Sequence, residues 1–400
     1  VDLNAAYLDP ATFPYDKVIA CYRAVGKHFV PESLLHELHH LRILLRAVRG
    51  PATTELRRFL DIALDKWDGT YDYTTYLALP LLPLPDAEVI DLDLSGLSRA
   101  HARRDRLLLL LIADLIAFEL DAAAERTMQL PGLRPSPALI EKRCGLAFRA
   151  ALPAIRRRRL VNDDRALEPA HLPGLASLMA DDNDRRMLST TMLPVYTFHD
   201  EYLFIRVLQS YESTFALMAM YLRAAIFATA TNRLATAAAC IQWANHALSD
   251  SRALFSLVGT MQAAAFHEFR KFTEGASAIQ SHNYKIVESL CREPDPARLN
   301  SISYESVPEV KHQVQAGHIS LEEALFTARR ERAVDPGLEH RLVESMAALS
   351  AEVQRWRRTH YSLARRMLGE RPGSGFTEGT AYLAHAHAIP LFKTTGDLSP

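Results

Sequence analysis

Along most of the chain, apolar residues recur every three or four positions, the spacing of one face of an α-helix. This pattern predicts helices over 31–50, 53–66, 104–126, 137–158, 202–230, 235–248, 252–273, 278–291, 321–332 and 337–368. Alternation of the strand type is nearly absent. Turn-forming residues break the pattern at 50–51, 80–85, 130–137, 181–184 and 293–296, while 300–318 and the segment after Gly369 show no strong helical period. The expected fold class is all-α. The longest stripe runs Leu342, Met346, Leu349, Val353, Trp356, His360, Leu363, Met367, in steps of four and three, and places a histidine on an apolar face.

Composition agrees and narrows the function. Sixteen glycines in 400 residues are few for a turn-dense β-protein. Lysine plus arginine (46) and aspartate plus glutamate (47) nearly cancel, so the chain has no global pull on nucleic acid or an anionic membrane. The arginine run at 156–159 lacks aromatic interleaving and reads as the solvated end of a helix. The apolar run 107–113 is cut short by Asp114 and Glu119. A bilayer needs about 20 apolar residues, so this is a buried helix. Cys21, Cys144, Cys240 and Cys291 are scattered, without a CxxC motif, which argues against a zinc ribbon, a covalently attached c-type haem or a disulfide framework. The first residues carry acids and prolines rather than a secretory leader, so a cytoplasmic protein is expected.

Several short patterns carry possible chemistry. His36-Glu37-Leu38-His39-His40 contains HExxH, but no third zinc ligand follows at a metalloprotease spacing. The glycines of 373–379 follow a helix rather than a strand and match no phosphate loop. His360 has Trp356, Tyr361 and Met367 around it, with Arg357, Arg358, Arg365 and Arg366 nearby to meet carboxylates. A satisfied core histidine is the plainer reading; a proximal imidazole with a dry face and propionate partners is the functional one. His199 stands at the mouth of the next helix, with Asp200 as a possible cap. Arg270 lies among Phe266, Phe269 and Phe272, where a guanidinium calls for a carboxylate from protein or substrate.

Taken in order, HDEYLFIRVLQSYE at 199–212, FHEFRKFTEGASAIQS at 266–281 and WRRTHYSLARRMLGERPGSGFTEGTAYL at 356–383 resemble the tryptophan 2,3-dioxygenase family. So does the YxxYL segment Tyr73 to Leu77. The resemblance spans about 70–85 and 198–383. It implies an all-α bundle, a b-type haem, an aromatic amino acid and O₂ as substrates, and a homo-oligomer, tetrameric or dimeric. His360 is then the proximal ligand and the metal-binding residue, with Trp356 and Ser277 beside the cofactor. His199 is the distal, catalytic histidine near the substrate ring. Arg270 pairs with the substrate carboxylate, Phe266 packs on its ring and Ser374 contacts its charged end. Tyr73, Tyr76 and Leu77 complete the pocket from a neighbouring subunit.

The chain also departs from the family. GTGGSSG becomes GSGFTEG at 373–379, SGFQS becomes SAIQS at 277–281, and YELWFK becomes YESTFA at 211–216. More than 100 residues separate the YxxYL and HDE motifs. The expected organisation is an N-terminal helical region at 1–85, a helical insertion at 86–195 and a haem- and substrate-binding core at 196–400, folded as one enlarged domain. The implied activity is 2,3-dioxygenation of L-tryptophan or a substituted tryptophan to N-formylkynurenine. Hydroxylation of a tyrosine-like amino acid in secondary metabolism and a non-catalytic haem-binding role are the alternatives.

Overall fold

A computed structural model describes residues 8–48, 50–86, 93–161, 164–331, 333–369, 383–384, 387 and 389–393. The chain is 74% helical, with no strand among the described residues, and is all-α as the periodicity predicts. It divides into two compact units that do not follow sequence blocks. One comprises Val1–Pro83, Leu108–Gln209 and Leu257–Ala278, the other Leu84–Leu107, Ser210–Ser256 and Ile279–Pro400. The region 86–195 has segments in both units.

In the first unit the helices Tyr15–Val25, Glu32–Leu45 and Pro51–Ala63 surround a core that includes Tyr22, Leu38, Leu41, Leu56 and Phe59. Two links tie this layer to later chain. Gly26, at φ +85°, lets the backbone pass so close to Val195 that a Cβ would meet its carbonyl at 2.5 Å. Lys27 follows, fully buried, with Nζ donating to Asp65 (2.8 Å) and to the Ile62 carbonyl (3.0 Å). The four-residue helix Tyr73–Tyr76 is started by Asp72, whose carboxylate accepts from the Thr75 N–H at 2.7 Å.

The second unit is organised by the helices Leu234–Asp250 and Pro336–Leu368, which pack along one another. Ala237, Ala244 and Ala247 are buried on the first, opposite no larger demand than a methyl, while Leu342, Met346, Leu349 and Val353 are buried on the second. Arg252 closes the contact onto Glu352. Asp335 caps the long helix by accepting from the Leu338 N–H at 2.8 Å.

Several boundaries differ from the periodic reading. The stretch 252–273 is two helices, Arg252–Val258 and Ala263–Thr273. At 181–184, taken above as a break, a helix begins: Asp181 and Asp184 each accept from the other's backbone N–H, at 2.9 and 3.1 Å. Tyr15–Val25 and Pro308–Gln315 are further helices that the pattern did not single out. The His199–Ala230 helix is long and apolar enough to cross a membrane, but 78% of its most apolar window is buried within the protein, as at the centre of a core. The arginines at 156–159 end the helix Pro137–Arg158 and three of the four are exposed, where they complement the helix dipole.

Candidate active site

In the first unit the site begins at the backbone. Gly132 and Phe198 form an isolated parallel bridge: the Gly132 N–H donates to Thr197 O and the His199 N–H to Gly132 O, both at 2.9 Å. A Cβ on Gly132 would strike the Phe198 ring at 2.9 Å, so only glycine permits this approach. The bridge satisfies a donor that the start of a helix otherwise leaves free, and it fixes His199 as the first residue of the helix.

His199 is fully buried. Its Nε2 lies 3.0 Å from Glu119 Oε2, and its ring sits 4.6 Å from that of Phe118, which in turn stacks on Tyr202 at 4.0 Å. Arg143 donates to the other Glu119 oxygen at 3.1 Å, to Asp200 at 2.7 Å and to Thr260 Oγ1 at 3.2 Å. Asp200 is not a cap for its own helix. Its second oxygen accepts from the Gln262 N–H at 2.5 Å, at the start of Ala263–Thr273. That contact supplies the new helix start and accounts for the break inside 252–273.

From this anchor the helix Ala263–Thr273 carries Phe266, half-buried, and Arg270, half-buried in its last turn. Phe204 gathers the aromatic residues: its ring is 6.0 Å from Phe266, 5.5 Å from Phe269 and 6.5 Å from Tyr76. Tyr73, Tyr76 and Leu77 are buried in their own chain. Gln209 donates to the Leu77 carbonyl at 2.9 Å, and the Tyr76 hydroxyl donates to Glu201 at 3.4 Å. The N-terminal layer, through Lys27 and the Asp72 cap, seats this segment beside its own His199–Ala230 helix. Burial pushes the Glu201 carboxyl up to about 8, even though the N–H groups of Val195 and Tyr196 and the Tyr76 hydroxyl oppose the shift. Ser277 is half-buried just after this helix.

The second unit holds the other predicted residues. The apolar stripe on Pro336–Leu368 keeps its spacing to Met367, but close burial is interrupted after Val353: Trp356, His360 and Leu363 are only half-covered before Met367 is buried again. Trp356 stacks on Tyr284 (5.2 Å, 27°) and meets Phe215 and Tyr211 edge-on at 5.4 and 5.9 Å. The His360 ring is 5.4 Å from Trp356 and 6.3 Å from Phe255. It has no hydrogen-bond partner among the described residues, and burial lowers its pKa to about 4, which keeps the imidazole neutral.

This donor set fits a haem ligand: one neutral imidazole, unclaimed among the described residues, on a partly open aromatic face. Arg357 does not serve as a propionate partner. It donates to the Tyr284 hydroxyl (2.6 Å), the Ile389 carbonyl (2.5 Å) and Glu288 (2.8 Å), and is buried among them. Arg358 and Arg365 are exposed. Ser374 and the rest of 373–379 lie outside the described residues. In the HExxH segment, His36 packs edge-on against Trp67 at 4.8 Å and His39 Nδ1 lies 3.0 Å from Arg42.

Periodicity and motif together pointed to His199, Arg270, Phe266 and His360. They missed Glu119 and Arg143, although an acid on an otherwise apolar helix face was the available signal for the first.

No protein-family model matches the chain. Curated proteins do. The tryptophan 2,3-dioxygenase of Polaromonas sp. is 26% identical over 234 residues, covering 50% of this chain and 79% of that protein. That of Bordetella pertussis is 24% identical over 232 residues, covering 50% and 82%. That of Kineococcus radiotolerans is 25% identical over 227 residues, covering 48% and 79%. These relatives are matched over most of their own length, whereas about half of the present chain lies beyond them. Over about half of its length the chain is thus similar, at 24–26% identity, to proteins that share the name tryptophan 2,3-dioxygenase.

Proposed function

We propose that the protein is a haem-dependent oxygenase of aromatic amino acids, acting on L-tryptophan or a substituted tryptophan to give N-formylkynurenine. The observation that carries this reading is His360, a neutral imidazole with no hydrogen bond among the described residues, on the half-covered aromatic face of its helix. His360 would ligate the haem, and Trp356 and Ser277 would line it. Haem, when bound, supplies the iron that activates O₂. The remaining work belongs to the chain. Arg270 holds the substrate carboxylate and Phe266 packs on the ring. Ser374 meets the charged end, and Tyr73, Tyr76 and Leu77 of a neighbouring subunit complete the pocket. His199 hydrogen-bonds the ring donor and selects the reactive orientation, a proximity effect. The protein acts in the cytoplasm as a homo-oligomer.

Arg270 provides the test of the substrate class. Arg270→Leu should raise KM for tryptophan roughly 10- to 100-fold, the worth of a charge-assisted hydrogen bond. KM for tryptamine, which has no carboxylate, should change by less than about twofold. Equal effects on both would remove Arg270 from the carboxylate site.

A further inference from the structure

We infer that Leu208, together with Phe204, walls one side of the substrate-ring site with carbon and so sets which ring the site accepts. That ring is a tryptophan carrying hydrogen, alkyl or halogen, and not a hydroxyl, where its carbocycle meets Leu208. Leu208 is then a specificity-determining residue. The inference rests on the reading of Phe266 and Arg270 as the residues that meet the substrate ring and its carboxylate.

The opening is confined to one turn. From His199 to Leu222 every residue of the His199–Ala230 helix is buried except Phe204 and Leu208, which are half-covered. Four residues apart, these two lie on one face, one turn from each other. The helix Ala263–Thr273 repeats the spacing, with Phe266 and Arg270 half-buried on it. The two helices are joined where they start, by the Asp200 carboxylate and the Gln262 N–H. Counted from that joint, Phe204 and Phe266 each stand four residues on, and their rings are 6.0 Å apart. Leu208 and Arg270 each stand eight residues on, about 12 Å of helix. A ring packed on Phe266, with its carboxylate on Arg270, therefore meets the other helix at the turn that is open.

What this turn offers is carbon. The polar side chains beside Leu208 are engaged elsewhere. Gln209 donates to the Leu77 and Thr191 carbonyls, both at 2.9 Å, and its own oxygen accepts from Arg206 at 2.8 Å. Arg206 also donates to Asp114 at 2.8 Å. A hydroxyl brought against Leu208 loses its water and gains no partner, which penalises it about 10- to 100-fold. A methyl or chlorine at the same ring position carries no such penalty.

The test reads binding rather than turnover. Ferric, haem-loaded protein is titrated by calorimetry with tryptophans that carry methyl or hydroxyl, in matched pairs, at ring positions 4 to 7. At one or more positions the wild type should bind the methyl compound roughly 10- to 100-fold more tightly than its hydroxyl partner. Leu208→Asn, which sets an amide where the wall was carbon, should narrow that ratio to within about threefold. Arg270→Leu should weaken both members of each pair and keep their ratio. A wild type with no such pair overturns the inference, even where Leu208→Asn does not fold. So does a folded Leu208→Asn protein with the wild-type ratios, the result expected of a leucine that only covers its neighbours. If the wild type binds no tryptophan, or Arg270→Leu leaves binding unchanged, the reading of Phe266 and Arg270 fails and this inference falls with it.

Discussion

Replacing His360 with alanine should leave a folded protein that no longer retains haem. The expectation follows from what His360 lacks as much as from what surrounds it. It makes no hydrogen bond among the described residues, so its removal strands no buried partner. Trp356 keeps its own contacts with Tyr284, Phe215 and Phe255. The cost to stability should therefore be about 1 kcal/mol, the central value for a single substitution. Haem content, read from the Soret band per chain, should fall below about a tenth of wild type, because the axial ligand is the protein's only covalent hold on a b-type haem. Added imidazole should restore part of the band, since the face that His360 occupies is half-open. A variant with unchanged ferrous and ligand-bound spectra would exclude His360 as the ligand.

Glu288→Ala should be among the most destabilising single changes in the second unit, by about 3–5 kcal/mol, the cost of breaking a buried ion pair. Glu288 is only 9% exposed and receives Lys285 at 2.7 Å, Arg357 at 2.8 Å and Arg298 at 3.2 Å. Burial alone would raise its pKa, but these three cations outweigh burial and hold the carboxyl well below the usual carboxylate range. A depressed carboxylate contributes stability that is complete above its unfolded pKa of about 4.3 and fades as pH falls toward the folded value. Urea unfolding of the wild type should show that loss below about pH 4.3, and the alanine variant should lack this part of the pH dependence. A variant as stable as wild type at pH 7 would show that the cations need no such anion.

The long stripe of Pro336–Leu368 was legible because a helical period survives whatever packs on it. What the sequence could not display was where the packing opens. Leu342 to Val353 and Trp356 to Leu363 look alike as letters, yet only the first group is fully covered. The HDE motif located His199 but not its partner. Glu119 lies 80 residues away, and after the apolar run at 107–113 it reads as mere polar punctuation until the fold sets it against His199 and Arg143. The split of 252–273 has a similar cause: Asp200 takes the Gln262 N–H, a tertiary contact that no local propensity records. The placement of Tyr73 to Leu77 within its own chain likewise depends on an N-terminal layer and a buried Lys27–Asp65 pair that the motif itself does not reveal.

The proposed oxygenase activity requires His360-ligated haem that inserts oxygen into an aromatic amino acid. Its most direct test is to give reduced, haem-loaded protein O₂ with tryptophan and tyrosine together and to weigh the products by mass spectrometry. Tryptophan should gain two oxygen atoms, both labelled when the gas is ¹⁸O₂, and His360→Ala should form no such product. Tyrosine gaining a single oxygen while tryptophan is unchanged would contradict the dioxygenase reading, and no change in either would contradict the assignment as an oxygenase.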